Sequence, residues 1–343
     1  MVGMIGIPIL RVKSIWRQTM NADTAYGKLG FDRIDVTGCS SVDDIFKSQS
    51  KSRIGIYMLG LSDNTYYIGK SKIVTTRFRT HLRDHLRKFS LNIESFGFLP
   101  FRNEELSHNE KSMIHKAESF GVPIRNNTYV ADVIAHNEIY DLIPENIQRQ
   151  WLANPTVIIN AKKYIIVKAQ RLKTDHKFFQ LSNFPEYPSI KPVLDEFIRN
   201  CIIAPAATQK IFWSLTAAPG TCQNSRLCCL NVNWMEVLVC GRLHFWDFVN
   251  VSYSELKRQF GSLAVFNKTY PIEYTKNHYV AAGGDDVRLY VENNFDLFCK
   301  LIRDPKVQAA ARLLTLRLMR KGQTAYSKYH CPAFVDDILS QKK

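Results

Sequence analysis

The sequence predicts an α/β (α+β) protein in which a small antiparallel sheet with flanking helices precedes a larger C-terminal α/β domain. Two observations predict the small sheet: a strand-turn-strand pattern near residue 60 and two helical patterns that follow it. A third observation, the recurrence of strand-like runs after Ile211, predicts the larger domain. With 343 residues and 45% hydrophobic content, the chain is long enough to bury two cores.

The small domain is predicted from a hairpin and three further elements. Apolar runs separated by the turn residues Ser62, Asp63 and Asn64 are typical of a hairpin. The predicted strands are 54–61, 65–68 and 96–101, and the predicted helices are 75–88 and 107–121. The elements therefore follow one another as β-β-α-β-α, with a central three-stranded antiparallel sheet.

The remaining boundaries follow from composition. Residues 1–52 are interpreted as an N-terminal arm and linker, with an apolar start from Val2 to Leu10 that is too short for a membrane span and is expected to be a strand. The small domain takes residues 53–130, and 131–343 form a specificity or assembly region, with a subdivision near 205 left open. Within that region, strands are predicted at 227–232, 236–240 and 245–251, and a helix from Asp304 to Gly322.

The charge of the chain favours a polyanionic partner. The formal net charge is +15. Residues 51–90 hold nine Lys or Arg against two Asp, so +7 of local charge surrounds the predicted hairpin and first helix. The eight cysteines are scattered, which favours reduced thiols and a cytoplasmic location. No membrane association is expected.

Four short segments share the spacing of a known nuclease type. They are Gly55-Ile56-Tyr57, Tyr67-Ile68-Gly69-Lys70, Arg77-Phe78-Arg79-Thr80-His81 and Glu110. Lys70, Arg77 and His81 stand three, ten and fourteen residues after Tyr67. Over residues 53 to 128 the chain thus resembles the GIY-YIG endonuclease family.

Hydrolysis of a phosphodiester needs a cation, an activated water and a partner for the charge that develops on the phosphoryl oxygens. Glu110 is the expected ligand of one Mg²⁺, for which Mn²⁺ can substitute, because hard cations prefer oxygen ligands. The alternative for Glu110 is a capping box with Ser107 at the start of its helix.

The other catalytic residues implied by the resemblance are Tyr57, Tyr67, Arg77 and His81. Tyr57 is expected to act as general base, with a pKa lowered from about 10 by nearby positive charge. Tyr67 shares the hydrogen bonding of the water or of the phosphate. The guanidinium of Arg77 holds the scissile phosphate, and His81, one helical turn later, donates to the phosphate or assists the water.

Four residues are expected to support phosphate binding. Gly69 lets the backbone approach the substrate or turn tightly, and Lys70 adds a phosphate contact. Arg79 is expected to contact the flanking DNA backbone or to face water. Asn126 is the nearest candidate for an asparagine that the family has after the glutamate helix.

Three further signals have ordinary structural alternatives. A zinc site from Cys222, Cys228, Cys229, Cys240 and His244 lacks a C-x2-C pair, so buried strand cysteines are the favoured interpretation. The pair Asp285-Asp286 is interpreted as a loop rather than a cation site. The basic helix after Asp304 either lies along DNA or packs in the usual way.

The resemblance predicts a metal-dependent DNA endonuclease that uses single-metal, in-line attack of water. Restriction or host defence is the first choice of role, because one large unfamiliar region accompanies the nuclease segment, and repair and mobile-element endonucleases are the alternatives. Duplex DNA is the expected partner in preference to single strands, and double-strand cutting implies either a homodimer or higher oligomer or sequential nicks. One alternative is a catalytically inactive or repair-associated nucleic-acid-binding protein that uses this domain for docking. Another is a structural or toxin-neutralising protein whose basic surface binds protein.

Overall fold

A computed structural model of the chain describes residues 20–47, 52–133, 137–242, 246–276, 279–292 and 294–340. The chain divides into two compact units, Met1–Asn126 and Asn127–Lys343. The predicted α+β class is confirmed, because each unit combines an antiparallel sheet with helices. The apolar start from Val2 to Leu10 lies outside the described residues. Among the described helices, none combines the length and apolar character that crossing a bilayer requires.

The first unit is a four-stranded antiparallel sheet with helices. Its helices are α1 (Ala22–Leu29), α2 (Val74–Phe89) and α3 (Leu106–Ser119), and its strands are β1 (Ile34–Asp35), β2 (Gly55–Leu61), β3 (Tyr66–Ser71) and β4 (Ile93–Pro100). The order across the sheet is β1-β4-β2-β3. The β-β-α-β-α series is present as predicted, but the sheet has four strands instead of three because β1 pairs with β4.

The segment interpreted as a linker belongs to the first unit. Asn21 caps α1 by accepting a hydrogen bond from the amide of Thr24, and Gly30 ends the helix in the left-handed region at φ 80°. Seven of its described side chains are buried: Ala25, Tyr26, Leu29, Phe31, Val36, Val42 and Phe46. Polar residues separate these buried side chains in the sequence. For this reason the segment was interpreted as a linker from its composition.

Strand β2 is the centre of this unit. All seven of its residues are buried, and it pairs with β3 on one side and with β4 on the other. Helix α2 packs Val74 and Phe78 into the same core, where the ring of Phe78 meets Phe96 edge to face. A nearly continuous apolar run is the composition that such a doubly paired, buried strand requires.

The second unit is built on a six-stranded antiparallel sheet. Its strands are β5 (Trp213–Ala217), β6 (Arg226–Val232), β7 (Met235–Gly241), β8 (Trp246–Ser252), β9 (Tyr274–Lys276) and β10 (Asp286–Glu292), in the order β5-β6-β7-β8-β10-β9. Its helices are α4 (Glu138–Leu142), α5 (Glu145–Ala153), α6 (Lys168–Arg171), α7 (Asp175–Ser182), α8 (Tyr187–Cys201), α9 (Pro205–Thr208), α10 (Tyr253–Phe260), α11 (Leu263–Thr269), α12 (Phe295–Arg303), α13 (Pro305–Arg320) and α14 (Pro332–Leu339). The three predicted strands correspond to β6, β7 and β8.

Helix α13 is a packing element of this unit. It begins as predicted, with Asp304 accepting a hydrogen bond from the amide of Lys306 at 2.8 Å. Its basic residues are used inside the unit: Arg320 donates to Gln148 at 2.9 Å, and Arg317 donates to Asp285 at 2.5 Å. The contact with Arg317 also gives the carboxylate of Asp285 a cationic partner within the protein. Packing within the unit therefore accounts for the basic residues of α13 and for Asp285.

A buried histidine makes the stability of the second unit sensitive to acid. His330 is 3% exposed, and its Nδ1 accepts a hydrogen bond from the amide of Leu215 at 3.3 Å. Burial, followed by the charges of Lys210 and Arg171, lowers its pKa to about 3. In the unfolded chain the pKa returns to about 6.5. Folding favours the neutral form of His330, so its contribution to the free energy of unfolding is fully present above pH 6.5 and is lost as the pH falls toward 3.

We expect this residue alone to remove about 2 to 3 kcal/mol of unfolding free energy between pH 7 and pH 4.5, at about 1.36 kcal/mol per pH unit below 6.5. Denaturant titrations at both pH values measure the decrease, which should be smaller by that amount in His330→Gln. His176→Gln, at an exposed histidine of α7, is the matched control and should behave as the wild type. An unchanged decrease in His330→Gln would contradict this account.

Candidate active site

Four of the predicted catalytic side chains meet on one face of the first sheet. The hydroxyl of Tyr57 lies 2.7 Å from Nε2 of His81, and Nε of Arg77 donates to the same hydroxyl at 3.3 Å. The ring of Tyr67 lies 4.8 Å from the His81 ring and 6.3 Å from the Tyr57 ring, centroid to centroid. Two strands and one helix thus bring together residues that span 25 positions in the sequence.

The register of the hairpin explains this convergence. Tyr57 lies opposite Gly69 and Leu59 lies opposite Tyr67, so the two tyrosines are diagonal neighbours on the same face. Arg77 and His81 are one helical turn apart on α2 and therefore point to the same side of the helix. The strand period of two and the helical spacing of four together build the cluster.

Gly69 is required by the ring of Tyr57. A Cβ at this position would lie 2.4 Å from the Tyr57 hydroxyl oxygen and 2.6 Å from its Cζ. The residue lies within β3, opposite Tyr57, and not in a turn. Of the two roles expected for Gly69, the tight turn is therefore wrong, and the approach to substrate stays a prediction. The absent side chain makes room for the ring of Tyr57.

We expect Gly69→Ala to displace the Tyr57 ring and thereby separate its hydroxyl from His81. Overpacking of this kind costs about 1 to 3 kcal/mol of stability, and a misplacement of about 1 Å can lower a catalytic rate about 100-fold. Thermal unfolding and a DNA-cleavage assay measure the two effects. Gly27→Ala in α1 is the control, since its Cβ would meet no atom within 4 Å. Full cleavage activity in Gly69→Ala would contradict the proposed placement of Tyr57.

The two tyrosines are neutral in this environment. Burial is the main cause that raises the pKa of Tyr57, and the charge of Glu110 adds to it, while Arg77 acts in the opposite direction. Burial also raises the pKa of Tyr67. The expectation that neighbouring charges lower the pKa of Tyr57 is wrong for the protein's own residues, because desolvation outweighs Arg77. The short contact with His81 offers a different route for the tyrosine proton.

Glu110 is close enough to the two tyrosines for its charge to raise the pKa of both, after the larger effect of burial. Its Oε2 lies 3.1 Å from Nζ of Lys70, which also donates to the hydroxyl of Ser107 at 2.9 Å. Helix α3 begins at Leu106 after Glu105, and no side chain caps it. The capping-box alternative for Glu110 is therefore wrong. The hydroxyl of Ser107 instead accepts a hydrogen bond from Lys70, a contact that was not predicted from the sequence.

The Glu110 carboxylate is of the ligand type that Mg²⁺ prefers. Its side chain is 14% exposed, and it shares Lys70 as a partner with the hydroxyl of Ser107. In the described part of the chain, no three His, Cys, Asp or Glu side chains group as a metal site. A single carboxylate with retained waters suits Mg²⁺ and not a closed zinc site. A cation bound at Oε2 of Glu110 would have to displace the amino group of Lys70 from that oxygen.

Two predicted phosphate contacts have other partners. Asn126 is buried, with Oδ1 accepting from the amide of Ile68 at 3.0 Å and Nδ2 donating to the carbonyl of Ile68 at 2.6 Å. Both ends of its amide are bonded to β3, so Asn126 holds the strand between Tyr67 and Gly69. Arg79 pairs with the carboxylate of Asp43. No local signal in the sequence links either pair.

The cysteines follow the ordinary interpretation. All eight are free thiols. Cys228, Cys229 and Cys240 are buried on β6 and β7, and Cys222 is exposed. His244, the fifth candidate zinc ligand, lies outside the described residues.

Comparisons of the chain with protein-family models, with curated proteins and with solved structures found no match. Functional assignment therefore depends on the contacts that the protein's own residues make.

Proposed function

We propose that this protein is a metal-dependent DNA endonuclease of the GIY-YIG type. The observation that carries the proposal is the hydrogen-bonded group of Tyr57, His81 and Arg77, with Tyr67 beside it and Glu110 within electrostatic range. The net charge of +15 supports a polyanionic substrate. In this proposal Tyr57 and His81 are the proton acceptors, Arg77 is the phosphate ligand, and Glu110, near the start of α3, is the metal ligand.

Tyr57 acts in this proposal as one member of a proton relay. Its oxygen takes a proton from the attacking water while its own proton passes to Nε2 of His81 over 2.7 Å. The relay needs no ionised tyrosine, so the raised pKa of Tyr57 does not oppose it. The water oxygen forms a bond to phosphorus as the bond to the leaving oxygen breaks in line. Unprotonated Nε2 is the form of His81 that can accept.

Arg77 and Lys70 supply the positive charge. The guanidinium of Arg77 is fixed by its bond to Tyr57, and its remaining N–H groups can hold two oxygens of the scissile phosphate. Mg²⁺ at Glu110, for which Mn²⁺ can substitute, would supply a Lewis acid that withdraws charge from the phosphoryl oxygens. Lys70, released from Glu110, would then contact the phosphate. The family resemblance implies 5′-phosphate and 3′-hydroxyl products.

Restriction or host defence is the role that we propose for this activity. The second unit would supply sequence specificity or assembly, and a homodimer would account for cutting of both strands of a duplex. The cytoplasm is the corresponding location, in keeping with the eight free thiols.

A second candidate function is favoured by one observation. The ammonium group of Lys70 occupies the carboxylate of Glu110 that a metal would need. If this ion pair persists with DNA present, the first unit would serve as a docking module without cleavage.

Incubation of the purified protein with supercoiled plasmid, linear duplex and single-stranded DNA distinguishes these functions. We expect nicked or linear plasmid with Mg²⁺ or Mn²⁺ and intact plasmid with EDTA. DNA affinity that falls with salt, without cutting under any of these conditions, would favour the docking function. A protein that neither cuts nor binds DNA would contradict both.

A further inference from the structure

The second unit contains a cavity whose chemistry the proposed nuclease reaction does not use. Its volume is about 580 Å³, within the range of about 300 to 1,000 Å³ that small-molecule sites occupy. It is lined by the end of β5, by β6 and β7, and by the segments around Lys173 and Lys328. All of these elements belong to one compact unit.

The lining carries an excess of positive charge. Lys173, Lys177 and Lys328 line the cavity together with Arg226, and Glu236 is the one carboxylate among the described lining residues. Glu236 is paired with Arg226 through Oε1. Lys173 also helps burial to lower the pKa of Lys210, so a further positive charge lies near Lys173. An anionic group of the ligand would be attracted to the three lysines.

The walls of the cavity combine apolar surface with aromatic rings, which suits the binding of a planar ring. Ala217, Ala218 and Pro219 supply apolar surface, and Tyr326 and Tyr329 supply aromatic rings. The Tyr329 ring is half exposed, with the amino group of Lys328 4.8 Å from its centroid. A heteroaromatic ring can stack on such tyrosines while an attached anion contacts the neighbouring ammonium group.

The buried part of the cavity presents hydrogen-bonding groups in fixed positions. Oε2 of Glu236 accepts from the hydroxyl of Tyr279 at 2.6 Å, and Arg226 holds Oε1. Oε1 also accepts from the Cys229 thiol at 3.8 Å, so Oε2 is the carboxylate oxygen that can accept a further bond. The buried amide of Asn231 accepts from the Cys229 thiol at 3.6 Å. Amide and carboxylate groups are those that proteins use to bind the edges of nucleobases.

We propose that this cavity binds a nucleotide, with the base among the tyrosines, Asn231 and Glu236, and the phosphate at Lys173, Lys177 and Lys328. A sugar phosphate would place hydroxyls against the apolar wall without partners. A purely apolar anion would leave the Asn231 and Glu236 groups without a ligand partner. The nucleotide is either a soluble one or a unit turned out of a nucleic-acid strand, since both present the same chemistry.

Calorimetric titration of the full-length protein tests this in EDTA, where cleavage does not contribute. The ligands are the four deoxynucleoside monophosphates, their nucleosides and inorganic phosphate. We expect at least one monophosphate to bind at least tenfold more tightly than its nucleoside and than inorganic phosphate. Equal affinity for inorganic phosphate, or no binding of any monophosphate, would overturn the proposal. A failure of cleavage alone would leave it standing, because the readout is binding.

Charge variants locate the site. Lys173→Ala combined with Lys328→Ala changes two exposed side chains and should weaken the monophosphate at least tenfold while leaving nucleoside affinity unchanged. Lys257→Ala, at an exposed lysine of α10 that does not line the cavity, is the matched control. Thermal unfolding confirms that each variant is folded. Wild-type monophosphate affinity in the folded double variant would overturn the assignment.

Competition then distinguishes the two sources. A fluorescent monophosphate bound in the cavity is challenged with a duplex that contains one unpaired base and with a fully paired duplex of the same length. Displacement by the duplex with the unpaired base, but not by the fully paired duplex, supports binding of a nucleotide that is turned out of a DNA strand. Displacement by free nucleotides alone supports a soluble ligand.

Discussion

Tyr57→Phe is expected to lower the rate of metal-dependent DNA cleavage by about 10²- to 10⁴-fold, the usual contribution of a general acid or base. The substitution keeps the buried ring and removes only the hydroxyl that contacts His81 and Arg77. Without that oxygen, the attacking water has no acceptor connected to His81. The fold should persist, because the ring still fills the space above Gly69.

Single-turnover cleavage of plasmid measures this effect, and thermal unfolding shows whether the fold is retained. The matched control is Tyr66→Phe, which removes a hydroxyl from the adjacent strand that donates to the carbonyl of Met20 at 3.0 Å. That variant should retain its cleavage rate within a small factor. Equal rates for Tyr57→Phe and Tyr66→Phe would exclude Tyr57 from the proton relay.

Glu110→Gln is expected to have the largest effect, a loss of at least about 10³-fold in cleavage. A metal ion contributes several kcal/mol to stabilisation of the developing charge, and about 4 kcal/mol corresponds to that factor. The neutral amide also loses its attraction for Lys70, whose amino group lies 3.1 Å from Oε2 in the native protein. Binding of Mn²⁺ followed by electron paramagnetic resonance should weaken in parallel.

The control for this variant is Glu104→Gln, which changes an exposed carboxylate just before α3. It should leave both cleavage and Mn²⁺ binding unchanged. If Glu110→Gln cut DNA at the wild-type rate with the same dependence on Mg²⁺, the metal would have to be held elsewhere.

The hairpin, both helices and the central cluster were predictable because their determinants are local. The strand period places Tyr57 and Tyr67 on one face, and the helical period places Arg77 and His81 on one side. A turn of three residues leaves the two strands no other register that keeps their apolar residues buried. Local spacing therefore determined most of the candidate site.

The features that were not predicted depend on contacts between distant segments. Strand β1 has two residues, too few for a periodic signal, and it forms only because β4 offers an edge. The pairing of Lys70 with Glu110 joins residues 40 positions apart, and that of Arg79 with Asp43 joins residues 36 positions apart. Charges at such separations have many potential partners, and only the folded chain selects one.

The contact of Asn126 with Ile68 also has a consequence for assembly. Strand β3 is the outer strand of the first sheet, where exposed amides and carbonyls invite another chain to add a strand. The outward groups of Tyr66 bond to Pro123 and Arg125, and those of Ile68 bond to Asn126. This part of the edge, beside Tyr57 and Tyr67, is therefore closed against edge-to-edge aggregation. A homodimer that cuts both DNA strands would form through a different surface.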